Sequence, residues 1–147
     1  MATSYRDLKV WSKSMLLVEA VYAVSGRLPK EERFGIGEQL KRAVVSVPTN
    51  IAEGGGRGSR ADHARFVSIA RGSLFEVETL LLIAGRLGYV DGPVLDEILP
   101  LIDEVSRMLA SLRRYLRRPA SNSRHAGRGR GSIRQSHPPL DLSTRNS

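Results

Sequence analysis

Cysteine is absent from the 147 residues of this chain, which excludes disulfides and thiolate metal sites. Long aliphatic runs are absent too, since the longest, Leu80 to Ala84, is far shorter than the roughly 20 residues that span a bilayer. The opening segment MATSYRDLKVW carries charges where a signal peptide has its apolar core. These absences predict a cytoplasmic protein with no membrane-spanning segment.

Residues that usually carry catalysis are few and poorly placed. His63 lies in the first turn of a predicted helix, where a solvated side chain is the ordinary case, and His125 and His137 lie in a C-terminal tail. The Glu-x-x-His motif of di-iron four-helix proteins does not occur. The segment around Ser73 lacks the Gly-x-Ser-x-Gly pattern of a nucleophile elbow. We therefore expect no enzymatic activity, no metal site and no cofactor.

Basic residues outnumber acidic ones, and the net charge is +8. Residues 119–147 hold five arginines and one aspartate, whereas the first 118 residues hold 18 basic and 14 acidic side chains, so each part contributes +4. A basic protein attracts anionic partners, either nucleic acid or a membrane surface, and the net charge does not choose between them.

Apolar residues recur at steps of three and four in four segments, which predicts four helices. They run from Arg6 to about Ser25, from Ile36 to Glu53, from an N-cap at Ser59 to about Leu87, and from an N-cap at Asp91 to a stop at Pro119. In the first helix the predicted apolar stripe comprises Leu8, Trp11, Met15, Val18 and Tyr22. In the fourth it comprises Val94, Ile98, Leu101, Val105, Met108, Leu112 and Tyr115.

Prolines inside helices two and four predict a bend in each. Pro48 costs helix two a backbone hydrogen bond, so the segment is either one kinked helix or two shorter helices. We favour the kinked helix, because the apolar spacing runs through Pro48 without a change of phase. Pro100 predicts a second bend in helix four.

Together these patterns predict an all-α fold, an antiparallel up-down four-helix bundle over residues 1–118. No segment alternates with the period of two that a strand requires. Residues 119–147 are rich in Arg, Gly, Ser and Pro and lack a periodic apolar stripe, so we expect a disordered basic tail.

The stretch NIAEGGGRGSR, residues 50–60, has two interpretations. A P-loop would need a preceding strand and a lysine at fixed spacing, and both are missing. A glycine-rich turn between helices two and three is the simpler interpretation. The turn leads into a helix N-terminus flanked by Arg57 and Arg60, with Arg65 about one turn further on, where a backbone phosphate could dock.

A polar row on helix two, formed by Gln39, Arg42, Ser46, Asn50 and Glu53, lies beside its apolar stripe. Such a row is a solvated face, a hydrogen-bond network or a binding surface, and a network is the commonest of these. We expect Asn50 and Glu53 to be structural, facing Ser73 or Glu76 across the hairpin of helices two and three.

Candidate nucleic-acid contacts fall into two predicted surfaces. The first, across helices two and three, comprises Lys41, Arg42, Arg57, Arg60, Arg65 and Arg71. The second, at the end of helix four, comprises Arg113, Arg114, Arg117 and Arg118. For the second surface there is an equally good alternative, because cations stabilise a helix C-terminus through the helix dipole.

The segments LKVW, QLKRAVVSVPTNIAEGGGR, ARGSLFEVETLL and GYV resemble a known family. It is the four-helix bundle proteins of intervening sequences in bacterial 23S ribosomal RNA genes, also called the S23 ribosomal protein family. The resemblance covers about residues 5–117 and omits the tail. Its signature includes the matching positions Arg42, Asn50, Glu53, Arg57 and Ser73.

This resemblance implies an up-down bundle that assembles into a homopentamer and has no established enzymatic activity. The related accessory variability determinants of diversity-generating retroelements are basic pentamers that bind nucleic acid and a reverse transcriptase. A reverse transcriptase is therefore one protein partner that the resemblance implies.

Our leading hypothesis is a non-catalytic oligomer that binds RNA or DNA, with RNA favoured, through phosphate contacts and with weak sequence specificity. The second hypothesis is a protein–protein adaptor or structural ring that binds no nucleic acid. A third places the nucleic-acid contact in the Arg-Gly tail alone.

Overall fold

The computed structural model describes residues 4–119 of the chain and consists of four long helices. They are α1 (Lys9–Ser25), α2 (Ile36–Gly55), α3 (Arg60–Arg86) and α4 (Gly92–Arg117), with short 3-10 turns at Tyr5–Asp7 and Lys30–Glu32. Helices α1 and α3 each pack against both α2 and α4. This square arrangement with short connections is an up-down bundle. The predicted all-α fold is confirmed, and the predicted disordered tail lies outside the described residues apart from Pro119.

Local sequence signals set the helix ends. The Ser59 hydroxyl accepts a hydrogen bond from the backbone N–H of Asp62 at 3.1 Å, and the Asp91 carboxylate accepts one from Val94 at 3.0 Å. Gly88 follows the end of α3 with a φ of +77°, a conformation that glycine adopts without strain. Helices α3 and α4 therefore begin at the predicted caps.

Both internal prolines lie within continuous helices. Helix α2 runs through Pro48 and helix α4 runs through Pro100. The prediction of one helix rather than two around Pro48 is therefore confirmed. Apolar packing on either side of Pro48 compensates for its missing N–H, since Val44, Val47 and Ile51 are fully buried.

The core runs along the centre of the square and is almost entirely aliphatic. Its fully buried large side chains come from all four helices, and they include Leu17, Leu40, Ile51, Leu74, Leu81, Ile102 and Leu109. Ser14 is fully buried among them, and its hydroxyl is satisfied locally because it donates a hydrogen bond to the carbonyl of Trp11 at 2.7 Å.

The predicted apolar stripe of the first helix lies at the margin of its core face, where Leu8, Trp11 and Val18 are partly buried against the core. The core side of α1 carries Val10, Ser14, Leu17, Val21 and Val24. The predicted residues lie one step around the helix, and Met15 and Tyr22 remain 42% and 45% exposed. Because α1 is apolar on most of its circumference, helical spacing did not single out the buried side.

A similar offset occurs in α4. Ile98 and Val105 are buried as predicted, whereas Tyr115 is 59% exposed and Ile102, Leu109 and Leu116 take the central positions. The predicted apolar stripe of α4 is therefore rotated toward α1 relative to the observed buried face.

Candidate nucleic-acid interface

Up-down topology gathers three segments that are distant in the sequence at one end of the bundle. They are residues 4–9 before α1, residues 53–65 around the α2–α3 turn, and residues 113–118 at the end of α4. We call these three segments the basic end. It contains three acidic residues, Asp7, Glu53 and Asp62. It contains nine basic residues, which are Arg6, Lys9, Arg57, Arg60, Arg65, Arg113, Arg114, Arg117 and Arg118.

The opposite end of the bundle is close to neutral. Residues 25–41 and 85–97 contain five basic and six acidic side chains. The positive charge of the described bundle is therefore concentrated at the basic end. Seven of the ten basic residues that the sequence singled out lie there, so the two predicted surfaces meet along one edge.

Arg60 makes the contact that joins these two surfaces. Its guanidinium donates a hydrogen bond to the backbone carbonyl of Tyr115 and lies over the ring of the same residue, 4.8 Å from the centroid. The Tyr115 carbonyl also accepts from the backbone N–H of Arg118 at 3.3 Å, so the first residue of α3 adds a second donor to one of the last carbonyls of α4. Arg60 fastens the α3 start to the α4 end in addition to contributing charge.

Arg57 and Arg65 are both paired with acids. Arg57 Nη2 lies 2.9 Å from Glu53 Oε1, and Arg65 Nε lies 3.8 Å from Asp62 Oδ1. Both guanidinium groups also lie over the ring of Phe66, at 4.9 Å and 4.7 Å from its centroid. Their positions are therefore fixed by neighbours, and part of their charge is offset.

The four arginines at the end of α4 have no acidic partner in the described part of the chain. No carboxylate of residues 4–119 lies within 4.0 Å of Arg113, Arg114, Arg117 or Arg118. Arg113 is half-buried, and its buried Nε makes no hydrogen bond within those residues. The other three are exposed, so their charges are available to an anion in solvent.

Three further predicted contacts lie away from the basic end. Lys41 lies over the ring of Tyr22 at 5.4 Å, beside α1, and Arg71 lies over Phe75 at 5.2 Å on α3. Arg42 is exposed on α2, about 20 Å along the helix axis from Arg57 at about 1.5 Å per residue. The structure does not bring these three residues together with Arg57, Arg60 and Arg65.

Residues of the polar row connect α2 to α3. The hydroxyls of Ser46 and Ser73 lie 2.8 Å apart, and Asn50 Nδ2 donates to both the Oγ and the backbone carbonyl of Ser46, each at 2.8 Å. Glu53 instead turns to Arg57. Asn50 and Ser73 therefore belong to one interhelical hydrogen-bond network, and Glu53 belongs to the basic end.

Glycines in the turn serve close packing and a left-handed bend. A Cβ atom at Gly54 would lie 2.7 Å from Cβ of Phe66 and 3.2 Å from the backbone oxygen of His63. Gly58 has a φ of +74°, and a side chain there would meet nothing within 4 Å. The stretch is thus a turn, and its outer side is open to solvent.

His63 lies under this turn, against the end of α2. Burial lowers the pKa of its imidazole from 6.5, because the charged form loses its hydration. Its buried Nε2 makes no hydrogen bond within residues 4–119. The ring lies beside Gly54 and Gly55, since a Cβ atom at Gly54 would be 3.0 Å from Cδ2. The neutral imidazole fills this space between the two helices.

Sequence reasoning missed Arg6 and Lys9. Both lie in the segment that opens the bundle, which up-down topology places next to the ends of α2 and α4. The topology itself was the available signal, because the first and last helices of an up-down bundle are neighbours.

Among the exposed apolar surfaces of residues 4–119, two lie on different sides of the bundle. Between α1 and α2 lies a groove of about 440 Å³, whose lining comprises Tyr5, Trp11, Met15, Val18, Val45, Pro48, Thr49 and Ala52. On α3, Phe75 and Leu82 are 45% and 42% exposed. They are seven residues apart and lie on the side of α3 opposite Ser73, hence away from α2.

Nothing in residues 4–119 groups three His, Asp or Glu side chains closely enough to hold a metal ion. Over the same residues, no helix is both long and apolar enough to cross a bilayer.

Comparison with known proteins gives a consistent fold. A crystal structure of a protein with unknown function, from the S23 ribosomal protein family of Bacteroides thetaiotaomicron VPI-5482, is similar to this chain with a TM-score of 0.67. The two share 24% identity, over 71% of this chain and 98% of that one, so this likeness concerns the fold alone. No curated protein matches the chain. Residues 6–111 match the family described as 23S rRNA-intervening sequence protein, and because this match spans most of the sequence, the chain belongs to that family.

Proposed function

We propose that this protein is a non-catalytic oligomer that binds the phosphate backbone of nucleic acid, with RNA favoured, through its basic end. One observation carries the proposal: nine basic and three acidic side chains lie at one end of a bundle whose other end is close to neutral. An uneven distribution of this kind creates a local positive potential that draws in a polyanion.

The exposed arginines at the end of α4 are the strongest phosphate contacts in this proposal. Arg114, Arg117 and Arg118 have no carboxylate within 4.0 Å among residues 4–119, so no internal ion pair has to be broken before they meet a phosphate. If about five phosphates are neutralised, the logarithm of the binding constant falls with the logarithm of salt concentration at a slope of roughly −4 to −5.

Aromatic side chains offer little sequence readout at this surface. The well-exposed aromatic residues of the described chain are Tyr22, Phe34, Phe75 and Tyr115, and of these only Tyr115 lies at the basic end. Backbone contacts carry no sequence information by themselves. Binding is therefore expected to be weakly sequence-specific.

We further propose that copies of this chain associate head to tail through the two exposed apolar surfaces. The groove between α1 and α2 and the Phe75–Leu82 surface face different directions, so one copy offers its groove to the protruding side chains of the next. Contacts between two different surfaces repeat around a ring when the rotation closes. The family resemblance implies five subunits, and a ring places several basic ends on one assembly.

A protein adaptor is the second candidate function, and the same groove favours it. In that case the occupant of the groove is another protein, for which the retroelement relatives suggest a reverse transcriptase. The basic end would then serve solubility, and nucleic acid would not change the size of the assembly.

Charge reversal at the end of α4 separates these two functions. The test variant is R114E/R117E/R118E. Arg57, Arg60 and Arg65 are left unchanged, because Arg60 is bonded to Tyr115 and the other two are paired with acids, so that changing them also removes contacts within the fold. The matched control is R27E/K30E/R33E, three exposed basic residues at the opposite end.

Light scattering after size exclusion, with and without a structured RNA, gives the readout. We expect the wild type and the control to shift with RNA at low salt and to release it at high salt, whereas the α4 variant keeps its oligomeric state and binds the RNA much more weakly. A wild-type oligomer that ignores RNA at low salt would favour the adaptor.

A further inference from the structure

Arg57 and Arg65 converge on one buried aromatic ring. Arg57 follows the end of α2 and Arg65 lies in the second turn of α3, yet their Cζ atoms are 4.9 Å and 4.7 Å from the centroid of Phe66. Phe66 is only 7% exposed, and its Cβ lies close against Gly54. The ring is therefore a fixed support for both guanidinium groups.

The charges of this pair are offset, whereas its planar surfaces remain accessible. Glu53 pairs with Arg57 and Asp62 pairs with Arg65, so the cluster carries little net charge for a phosphate. The two arginine side chains are still 48% and 61% exposed. What distinguishes them from the unpaired arginines of α4 is therefore shape and rigidity rather than charge.

Among residues 4–119, the turn is open at Gly58, on the side away from the Tyr5 contact at Gly55. The turn consists largely of glycine, and a side chain at Gly58 would meet nothing within 4 Å. A flat molecule can therefore approach the guanidinium planes from solvent. Nucleic-acid bases stack on arginine guanidinium planes when they are unpaired and accessible.

We propose that Arg57 and Arg65 form a stacking surface for unpaired bases, so that the basic end prefers single-stranded nucleic acid to a duplex. This inference rests on the proposed function, and it names the form of nucleic acid that the site takes. Phosphates of the strand contact the unpaired arginines of α4 while one or two bases stack on the arginines at Phe66. Phosphate contacts alone predict the reverse preference, because a duplex has the higher charge density.

Fluorescence anisotropy at low salt tests the proposal on the full chain. The probes are an oligouridylate of about ten nucleotides, an abasic strand of the same length, and a duplex of the same length. We expect the oligouridylate to bind at least about fivefold more tightly than the abasic strand. A difference of about fivefold is the smallest effect typical of one stacked base. A parallel measurement with an oligothymidylate of the same length compares DNA with RNA. A fivefold preference of the protein for either strand over the abasic strand supports the proposal.

Lysine substitution separates stacking from charge. In R57K/R65K the positive charges remain and the planar groups are lost, so the preference for bases over the abasic strand should fall to less than about twofold. The matched control R27K/R86K changes two exposed arginines at the opposite end of the bundle that have no acidic partner among residues 4–119, and it should keep the wild-type preference.

Three results would overturn the inference. They are equal affinity of the wild type for the base-bearing and abasic strands, tighter binding of the duplex, and an unchanged preference in R57K/R65K. The first comparison uses only wild-type protein, so it decides the matter even if the variant fails to fold. Equal binding of all probes overturns this inference alone, whereas no binding of any probe at low salt overturns the proposed function as well.

Discussion

Gly54 is the residue on which the packing of the basic end depends most directly, and Gly54→Ala is the perturbation that tests it. Gly54 is buried at the end of α2, where the helix passes Phe66 and His63. The added methyl would lie 2.7 Å from Phe66 Cβ, 3.0 Å from His63 Cδ2 and 3.2 Å from the His63 backbone oxygen. Two of these three atoms belong to the rigid part of α3, so the helices must separate to admit the methyl.

The magnitude follows from two opposing effects. Overpacking of this kind costs about 1–3 kcal/mol, and the contact with backbone places Gly54→Ala in the upper half of that range. The higher helix propensity of alanine offsets up to about 1 kcal/mol of this cost, and this gain is smaller near a helix end. We expect a net loss of about 1–2 kcal/mol in the free energy of unfolding.

Gly72→Ala is the matched control. Gly72 lies in the middle of α3, it is exposed, and an added Cβ meets nothing within 4 Å. Here only helix propensity acts, so the free energy of unfolding should rise by about 0.5–1 kcal/mol. Urea denaturation followed by circular dichroism, at one fixed protein concentration, measures both variants.

Opposite signs for the two variants are the expected result. If Gly54→Ala stabilised the protein as much as Gly72→Ala does, the close approach of α2 to α3 at Phe66 would be wrong. The support on which Arg57 and Arg65 rest would then have to be reconsidered, because it depends on the same contact.

Three further predictions concern local features, and urea denaturation measures each. Ser59→Ala removes the N-cap of α3 and should cost about 1 kcal/mol, whereas Ser59→Asp should restore most of that loss. Ser73→Ala removes the hydroxyl that meets Ser46 across α2 and α3 and should also cost about 1 kcal/mol, so an unchanged stability would contradict a structural role for this network. Because burial lowers the pKa of His63, the unfolded state takes up its proton first as the pH falls below 6.5. Stability should therefore decrease from neutral pH toward the lowered pKa, and His63→Gln should remove that part of the pH dependence.

Features that depend on local chemistry were predictable from the sequence. The caps at Ser59 and Asp91 and the end of α3 before Gly88 lie where their residue types indicate, because capping is decided within one turn of helix. The fold class follows from four such helices with short connections. These predictions needed no knowledge of which helix faces which.

Features that depend on tertiary packing were not predictable in the same way. The core face of α1 was misplaced because Met15 and Tyr22 have the same spacing as the buried Leu17 and Val24. The bond from Arg60 to the Tyr115 carbonyl joins residues 55 positions apart, and no local pattern encodes it. Charge runs identified the arginines, but only the arrangement of the helices brings them together at one end.

The salt dependence of nucleic-acid binding tests the central claim most directly. The measurement is the binding constant for a structured RNA at a series of salt concentrations, for the wild type and for R114E/R117E/R118E. We predict a slope of log K against log salt of roughly −4 to −5 for the wild type, and a slope smaller in magnitude by about two to three for the variant. A wild-type affinity that does not change with salt, or equal slopes for the two proteins, would contradict a phosphate-binding basic end.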